Sequence, residues 1–397
     1  MSTAVNIKHL DVVFGNNIDQ TINHLDAGLS RQEIIDEIGD VVAVSDASLT
    51  IQKGEICVLM GLSGSGKSSL LRAVNGLNPI TRGSIEIEDQ GKMIDLANCD
   101  ANTLRHLRTN RVSMVFQKFA LMPWLTVLEN VAFGLEIQGM GKIERERKAL
   151  EQLEMVGLDD WANQHPHELS GGMQQRVGLA RAFAMDSDIL LMDEPFSALD
   201  PLIRTQLQDE LIELQHKLNK TIIFVSHDLD EALKLGSKIA IMESGKIIQY
   251  GEPEEIVLKP KDSYVEDFVA HTNPLNVLRG KSLMTALHKL PRNKQYIVLK
   301  PFENTRLSLT IDGRIDKVQR GEQTLSVIPW HEQDEFSTIT TDSIVVADPD
   351  ISMRDALELR YRSGQPVMLC DKNKLIGVLR DQDFYHALLG KHFGHCD

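Results

Sequence analysis

The chain has 397 residues, which at ~150 residues per domain is enough for two or three domains, each burying its own core. Its 42% apolar and 25% charged residues are the proportions of a globular protein and exclude a collagenous or disordered chain. The 42 Lys and Arg against 57 Asp and Glu give a net charge of −15, so no basic excess exists to offset nucleic-acid phosphate.

Cys57, Cys99, Cys370 and Cys396 form no CxxC pair, so neither a disulfide framework nor a zinc site is expected, and a reducing compartment fits. The opening residues lack the basic stretch and long apolar core of a secretory signal. No run approaches the ~18 apolar residues of a spanning helix, so work at a membrane requires a partner to hold the chain there.

Residues 4–14 read as a strand ending at Gly15. Residues 16–42 are polar and helix-like, with Ser30 and Glu33 at capping-box spacing ahead of Ile34, Ile35 and Ile38. Their simplest reading is a solvated helical decoration. From 43 to 235, apolar β-rich runs alternate with amphipathic helices, the pattern of a largely parallel sheet covered by helices, with buried strands at Ile56–Met60, 189–192 and Thr221–Val225. Residues 236–272 add two short strands around Gly245 and a helix. Beyond them the pattern predicts a helix over 282–290 and short strands to about 330. Strands then follow at 344–346, 366–370 and 375–379, with helices at 352–362 and 382–389: a small β-α-β-β-α domain.

Three motifs carry chemistry. Residues 61–68, GLSGSGKS, fit G-x-x-x-x-G-K-[ST], follow an apolar strand and open a helix. That context aims successive N–H groups and a helix N-terminus at phosphate oxygens, with Lys67 reaching the β/γ-phosphates and Ser68 placed on Mg²⁺. Asp193 and Glu194 end the apolar run 189–192; the first suits a metal ion and its waters, the second the activation of an attacking water. Alone, such a pair reads equally as solvated carboxylates; beside a phosphate loop it reads as catalytic. In LSGGMQ at 169–174, Ser170 can cap a helix whose bare Gly171 and Gly172 let an anion approach; from physics alone a plain capped helix start is the favoured reading.

This ordered set resembles the ATP-binding cassette (ABC) ATPases over residues 4–272. The resemblance implies a P-loop NTPase α/β fold: a RecA-like parallel sheet core, an antiparallel β subdomain and a helical subdomain. It implies ATP and Mg²⁺ as cofactors. Nucleotide would lie on Gly61, Ser63, Gly64, Ser65, Gly66, Lys67, Ser68 and Ser69, with Phe14 stacked on adenine. Ser68, Gln117 and Asp193 would serve the metal, and Glu194, His227 and Gln117 catalysis. Ser170, Gly171, Gly172 and Asp200 would face nucleotide held by a second copy, since one loop and one signature per chain imply a homodimer with two sandwiched sites.

The insertion at 16–42 and the stretches 114–131 and 167–211 resemble import ATPases of the glycine betaine/proline/choline group, with 72–78, 95–100 and 271–276 nearest the choline branch. The resemblance implies permease subunits, a periplasmic or extracellular substrate-binding protein reached through them, no nucleic acid, and a peripheral place on the cytoplasmic face of the inner membrane. Residues 117–124, with Phe119, Leu121 and Trp124, would form the permease dock. Residues 335–397 resemble a small α+β CBS module with 273–334 as a linker or degenerate copy. There Asp383 would meet a ribose, while Arg380 replaces the usual hydroxyl residue, which points to dimerisation or regulation instead. A soluble ABC ATPase working on nucleic acid would carry two cassettes, a long coiled coil or a basic stripe, and the sequence has none of these.

Overall fold

The computed structural model describes residues 2–388 except 118, 119, 198, 271, 274, 276, 294, 295, 301–304, 332 and 342. Two compact units divide the chain, Met1–Pro253 and Glu254–Asp397, where the sequence placed the boundary at 272.

The first unit opens with β1 (Thr3–Phe14), α1 (Ile18–Asp26), α2 (Arg31–Ile38), β2 (Val41–Gln52), β3 (Ile56–Met60), α3 (Lys67–Val74), β4 (Arg82–Asp89), β5 (Lys92–Asp95), α4 (Ala101–Asn110) and β6 (Val112–Val115). It continues through α5 (Val127–Ile137), α6 (Lys142–Met155), α7 (Gly171–Ala184), β7 (Ile189–Asp193), α8 (Pro201–Leu218), β8 (Thr221–Val225), α9 (Leu229–Leu235), β9 (Lys238–Glu243) and β10 (Lys246–Gly251). A four-stranded antiparallel sheet runs β2-β1-β4-β5, and a six-stranded sheet runs β10-β9-β3-β8-β7-β6, parallel from β9 to β6. Every residue of β3, β7 and β8 is buried, as expected of strands covered on both faces. Leu70, Leu71, Ala73 and Val74 of α3 share one core with both sheets, so the helix behind the glycine loop is clamped between them. Helices α5, α6 and α7 pack on one another as a helical subdomain.

The insertion is built in rather than solvated. Ile34 of α2 is fully buried with Val13 and Val42, and Ile18, Ile22, Leu25, Leu29 and Ile38 pack around them. The Ser30–Glu33 capping box forms as its spacing foretold. Asp40, only 3% exposed, ties the hairpin down by accepting from the N–H groups of Asn16 (3.1 Å) and Asn17 (3.0 Å) and the Thr21 hydroxyl (2.9 Å). An apolar stripe too narrow to stand out in so polar a stretch is what decides this, because it meets β1 and β2.

From the unit boundary onward the chain forms α10 (Pro253–Leu258), α11 (Ser263–Val269), α12 (Gly280–Leu283), β11 (Thr285–Ala286), β12 (Ile297–Lys300), β13 (Thr305–Leu309), β14 (Ile315–Arg320) and β15 (Gln323–Thr324). After these come β16 (Ser326–Pro329), β17 (Ser343–Ala347), α13 (Met353–Ser363), β18 (Val367–Asp371), β19 (Lys374–Leu379) and α14 (Asp381–Leu388). The helix expected over 282–290 is reduced to α12. Thr285 pairs with Val378 and Ala286 with Gly377, and strand pairing overrides the local helical pattern. In place of a linker or degenerate copy, β12-β13-β14-β15 form an antiparallel sheet. Leu299, Leu307 and Val318 from it share a core with Ile344, Met368 and Val378 of the mixed sheet β11-β19-β18-β17-β16.

Candidate functional site

Strand β3 delivers the chain into the glycine loop, and Lys67 opens α3 directly behind it. Lys67 is 6% exposed, and its Nζ donates to the carbonyls of Gly61 (2.7 Å) and Leu62 (2.9 Å), with Ser65 Oγ at 3.4 Å. Burial lowers the pKa of this ammonium below the usual lysine value, while the carboxylates of Glu194 and Asp193 oppose the shift. At Gly66 (φ +102°) a Cβ would stand 2.3 Å from the Ala43 carbonyl oxygen, so only glycine lets the loop close on β2. From the other side the β9–β10 turn braces the loop: Gly245 N–H donates to Ser65 O, and Ser45 N–H to Gly245 O, both at 2.9 Å.

Asp193, at the end of β7, has no exposed surface. Its Oδ1 accepts from Ser68 Oγ (2.7 Å) and its Oδ2 from Arg72 Nη2 (3.0 Å). A buried carboxylate left unpaired costs several kcal/mol, and Ser68 and Arg72 relieve that cost. The sequence reading passed over Arg72, although it stands one helical turn after Ser68 and so on the same face of α3.

Glu194 sits in the left-handed region at φ +49°, a strain of about 1–3 kcal/mol for a residue with a side chain. Surrounding hydrogen bonds hold it there. Its N–H donates to Val225 O (3.1 Å), and its carbonyl accepts from Ser197 Oγ (3.0 Å), Gln175 Nε2 (3.3 Å) and Ser197 N–H (3.4 Å). The turned backbone presents the carboxylate to Gln117 Nε2 (3.1 Å) and His227 Nδ1 (3.5 Å). Gln117, Asp193 with Glu194, His227 and the glycine loop follow the C-terminal ends of four parallel strands, which is how residues so far apart in sequence meet at one sheet edge.

Beside this cluster, Glu231 accepts from the Ser226 hydroxyl and from Gln208 Nε2 (2.9 Å), and burial raises its pKa. Sequence reasoning missed Glu231 and Gln175 because their partners lie on other elements.

Ser63 and Gly64 form the exposed crown of the loop, and Ser69 lies half-buried in α3. Ser170 caps α7, accepting from Met173 N–H (3.3 Å), so Gly171 and Gly172 open that helix, and Asp200 caps α8 through Ile203 N–H (3.1 Å). Phe14 ends β1 opposite Val41 with 40% of its surface exposed. In the 117–124 stretch, Lys118 and Phe119 lie outside the described residues, Leu121 is half-buried and Trp124 is 72% exposed. Behind it a cavity of about 420 Å³ is lined by Phe116, Ala120, Met122, Phe133, Ile137 and Arg181, among others.

In the second unit, Asp383, the residue the CBS resemblance sets toward a ribose, is turned inward. It is 5% exposed, and its carboxylate already accepts from Thr285 Oγ1 (2.8 Å) and Arg380 N–H (2.7 Å), while Arg380 Nη2 donates to Thr285 Oγ1 (2.7 Å). Burial raises its pKa.

Comparison with known proteins fits this geometry. The family described as ABC transporter matches residues 44–197, and the CBS domain family matches 336–390. The chain is 48% identical to the glycine betaine/proline betaine transport system ATP-binding protein of Escherichia coli (strain K12), covering 71% of this chain and 70% of that protein. It is 43% identical to the glycine betaine transport ATP-binding protein of Bacillus subtilis (strain 168), covering 90% and 81%. It is also 43% identical to the trimethylamine N-oxide transport system ATP-binding protein of Pelagibacter ubique (strain HTCC1062), covering 79% and 89%. A dimeric ATP-binding cassette solved in a post-hydrolysis state with ADP and Pi superposes with TM-score 0.54 at 32% identity, over 63% of this chain and 98% of that one. A parallel sheet converging on a phosphate loop, together with relatives matched over most of their length, places the chain in the ABC transporter family, as an ATP-binding subunit and ATPase coupled to import, in the group that includes the betaine and trimethylamine N-oxide systems.

Proposed function

We propose that the chain hydrolyses MgATP to drive import of a quaternary amine of the glycine betaine type. The observation that carries the hydrolytic part is the strained Glu194, whose carboxylate is aimed beside Gln117 and His227 next to the buried Lys67 loop. Lys67 exchanges its loop carbonyls for the β- and γ-phosphate oxygens, and the N–H groups of residues 64–68 surround the β-phosphate. The oxygen pair Ser68 Oγ and Asp193 Oδ1, 2.7 Å apart, fits a small hard cation that takes its other ligands from phosphate and water. When bound, Mg²⁺ neutralises charge on the β- and γ-phosphates. Glu194 accepts a proton from the attacking water as its oxygen bonds to the γ-phosphorus; the bond from that phosphorus to the β–γ bridging oxygen breaks, and ADP leaves. Gln117 holds the carboxylate and His227 faces the γ-phosphate. Phe14 has the exposed face that adenine stacking needs.

Ser170, Gly171, Gly172 and Asp200 sit at helix N-termini, which suits nucleotide held by a second copy and hence a homodimer. The cavity bordered by Phe116 and Met122, beside exposed Trp124, suits an apolar helix of a permease at the cytoplasmic face of the membrane. A substrate-binding protein would meet the chain only through that permease. Among the described residues no helix is long and apolar enough to cross a membrane. The sequence favoured choline as cargo. The relatives reported above carry glycine betaine and trimethylamine N-oxide names, which puts glycine betaine first and leaves choline as the alternative.

The test is uptake of radiolabelled glycine betaine and choline by cells whose only copy is Lys67→Ala or Glu194→Gln. Loss of betaine uptake with both variants is the expected result. Loss of choline uptake alone moves the cargo to choline, and undiminished uptake of both refutes the transport reading.

A further inference from the structure

The helical insertion reaches the glycine loop through one residue. Arg31, at the first position of α2, donates from Nη1 to the carbonyl oxygen of Gly64 at 3.2 Å. Among the described residues its guanidinium has no carboxylate within ion-pair distance, unlike Arg72 or Arg82 of the same unit. The backbone it touches belongs to the exposed crown of the loop. Gly66 is wedged against the Ala43 carbonyl, and Ser65 O is held by the β9–β10 turn. Gly64, at φ +78°, has nothing within 4 Å of where a Cβ would stand. It faces a cavity of about 590 Å³ lined by Arg31, Gln32, Ser45, Glu243, Ser244 and Lys246, among others. Packing at the Gly64 Cα therefore does little to orient the Gly64–Ser65 peptide. Two hydrogen bonds orient that peptide: Ser65 N–H to Leu62 O (3.1 Å) and Arg31 to Gly64 O.

We propose that Arg31 is a positioning residue for nucleotide binding: by gripping the Gly64 carbonyl it sets the direction of the loop's N–H groups and brings an unpaired positive charge beside the triphosphate. This rests on the reading of residues 61–68 as the ATP site. A peptide plane held in advance saves the ordering cost that a mobile loop would meet on binding, and a cation without a carboxylate partner keeps its field for the polyanion. The insertion is in turn tied to the body of the unit by Asp40 and by the Arg82–Asp26 ion pair (2.7 Å), so the grip has a rigid anchor.

The experiment is titration of the full-length protein with MgATP by calorimetry, in parallel with steady-state ATPase kinetics, for wild type, Arg31→Ala, Arg31→Lys and Lys67→Ala. Arg31→Ala is expected to weaken MgATP binding roughly tenfold, about the worth of one charge-assisted hydrogen bond, and to raise KM by a similar factor with kcat within about twofold. Arg31→Lys, which keeps the charge and one donor, recovers part of the loss. An unchanged Kd and KM in Arg31→Ala overturns the proposal. So does a loss of binding that appears only together with a melting temperature near the assay temperature, since that marks a purely structural role. If Lys67→Ala binds MgATP as tightly as wild type, the ATP reading of the loop itself fails, a result separate from any effect at Arg31.

Discussion

Gln175→Leu separates stability from catalysis at the strained glutamate. Gln175 lies on α7, is 1% exposed, and donates from Nε2 to the Glu194 carbonyl at 3.3 Å, while its own Oε1 is buried without a partner. Leucine has a similar volume, so it opens little cavity. It forfeits one long hydrogen bond worth about 0.5–1 kcal/mol and removes an unsatisfied carbonyl whose burial costs about 1–3 kcal/mol. The second term is larger, so the variant is expected to be as stable as wild type or up to about 2 kcal/mol more so. Glu194 meanwhile keeps only the Ser197 contacts at its carbonyl, while about 1–3 kcal/mol of left-handed strain pulls it toward an ordinary conformation. A carboxylate displaced by even 1 Å loses much of its advantage as a base, so kcat is expected to fall roughly tenfold or more with KM for ATP little changed. Thermal melts and ATPase assays on the same preparations measure both. A variant that melts lower than wild type yet keeps its full kcat would refute the reasoning, because Gln175 would then be ordinary core.

Other substitutions test neighbouring parts of the account. Gly66→Ala places a Cβ 2.3 Å from the Ala43 carbonyl and is expected to abolish MgATP binding. Gly64→Ala meets open space, costs only left-handed strain of about 1–2 kcal/mol, and should retain binding; calorimetry distinguishes the two. Asp40→Ala strands two N–H groups and a hydroxyl and should free the α1–α2 hairpin at a cost of about 2–4 kcal/mol, seen as faster hydrogen exchange over residues 16–39. Asp383 is an acid whose folded pKa is raised by burial, so its stabilising contribution is present at low pH and lost as pH rises from its unfolded value of 3.8 through the folded one. Asp383→Asn should flatten the fall in melting temperature across that window relative to wild type, and identical slopes would show that Asp383 does not titrate differently on folding.

The phosphate loop, the strand ending in Asp193 ahead of Glu194, the Ser30–Glu33 box and the capped start of α7 were legible from residue order alone. Each is a contiguous device whose partners lie within a few residues, so spacing carries the geometry. Whatever depended on partners far along the chain waited for the tertiary structure. The backbone of Glu194 is held left-handed not only by nearby Ser197 but by Val225 and Gln175, neither of which its own neighbourhood announces. The insertion looked solvated because its apolar stripe is narrow, and only contact with Val13 and Val42 shows that it is core. Residues 285–286 became a strand because β19 offered an edge, a hydrogen-bonding opportunity worth more than a weak helical preference. Asp383 turned inward for a partly similar reason: Arg380 N–H meets it locally, but Thr285 reaches it only once that strand pairs. Local chemistry wrote the motifs, while long-range burial and pairing decided which of them the fold brings together and which side chains hold them in place.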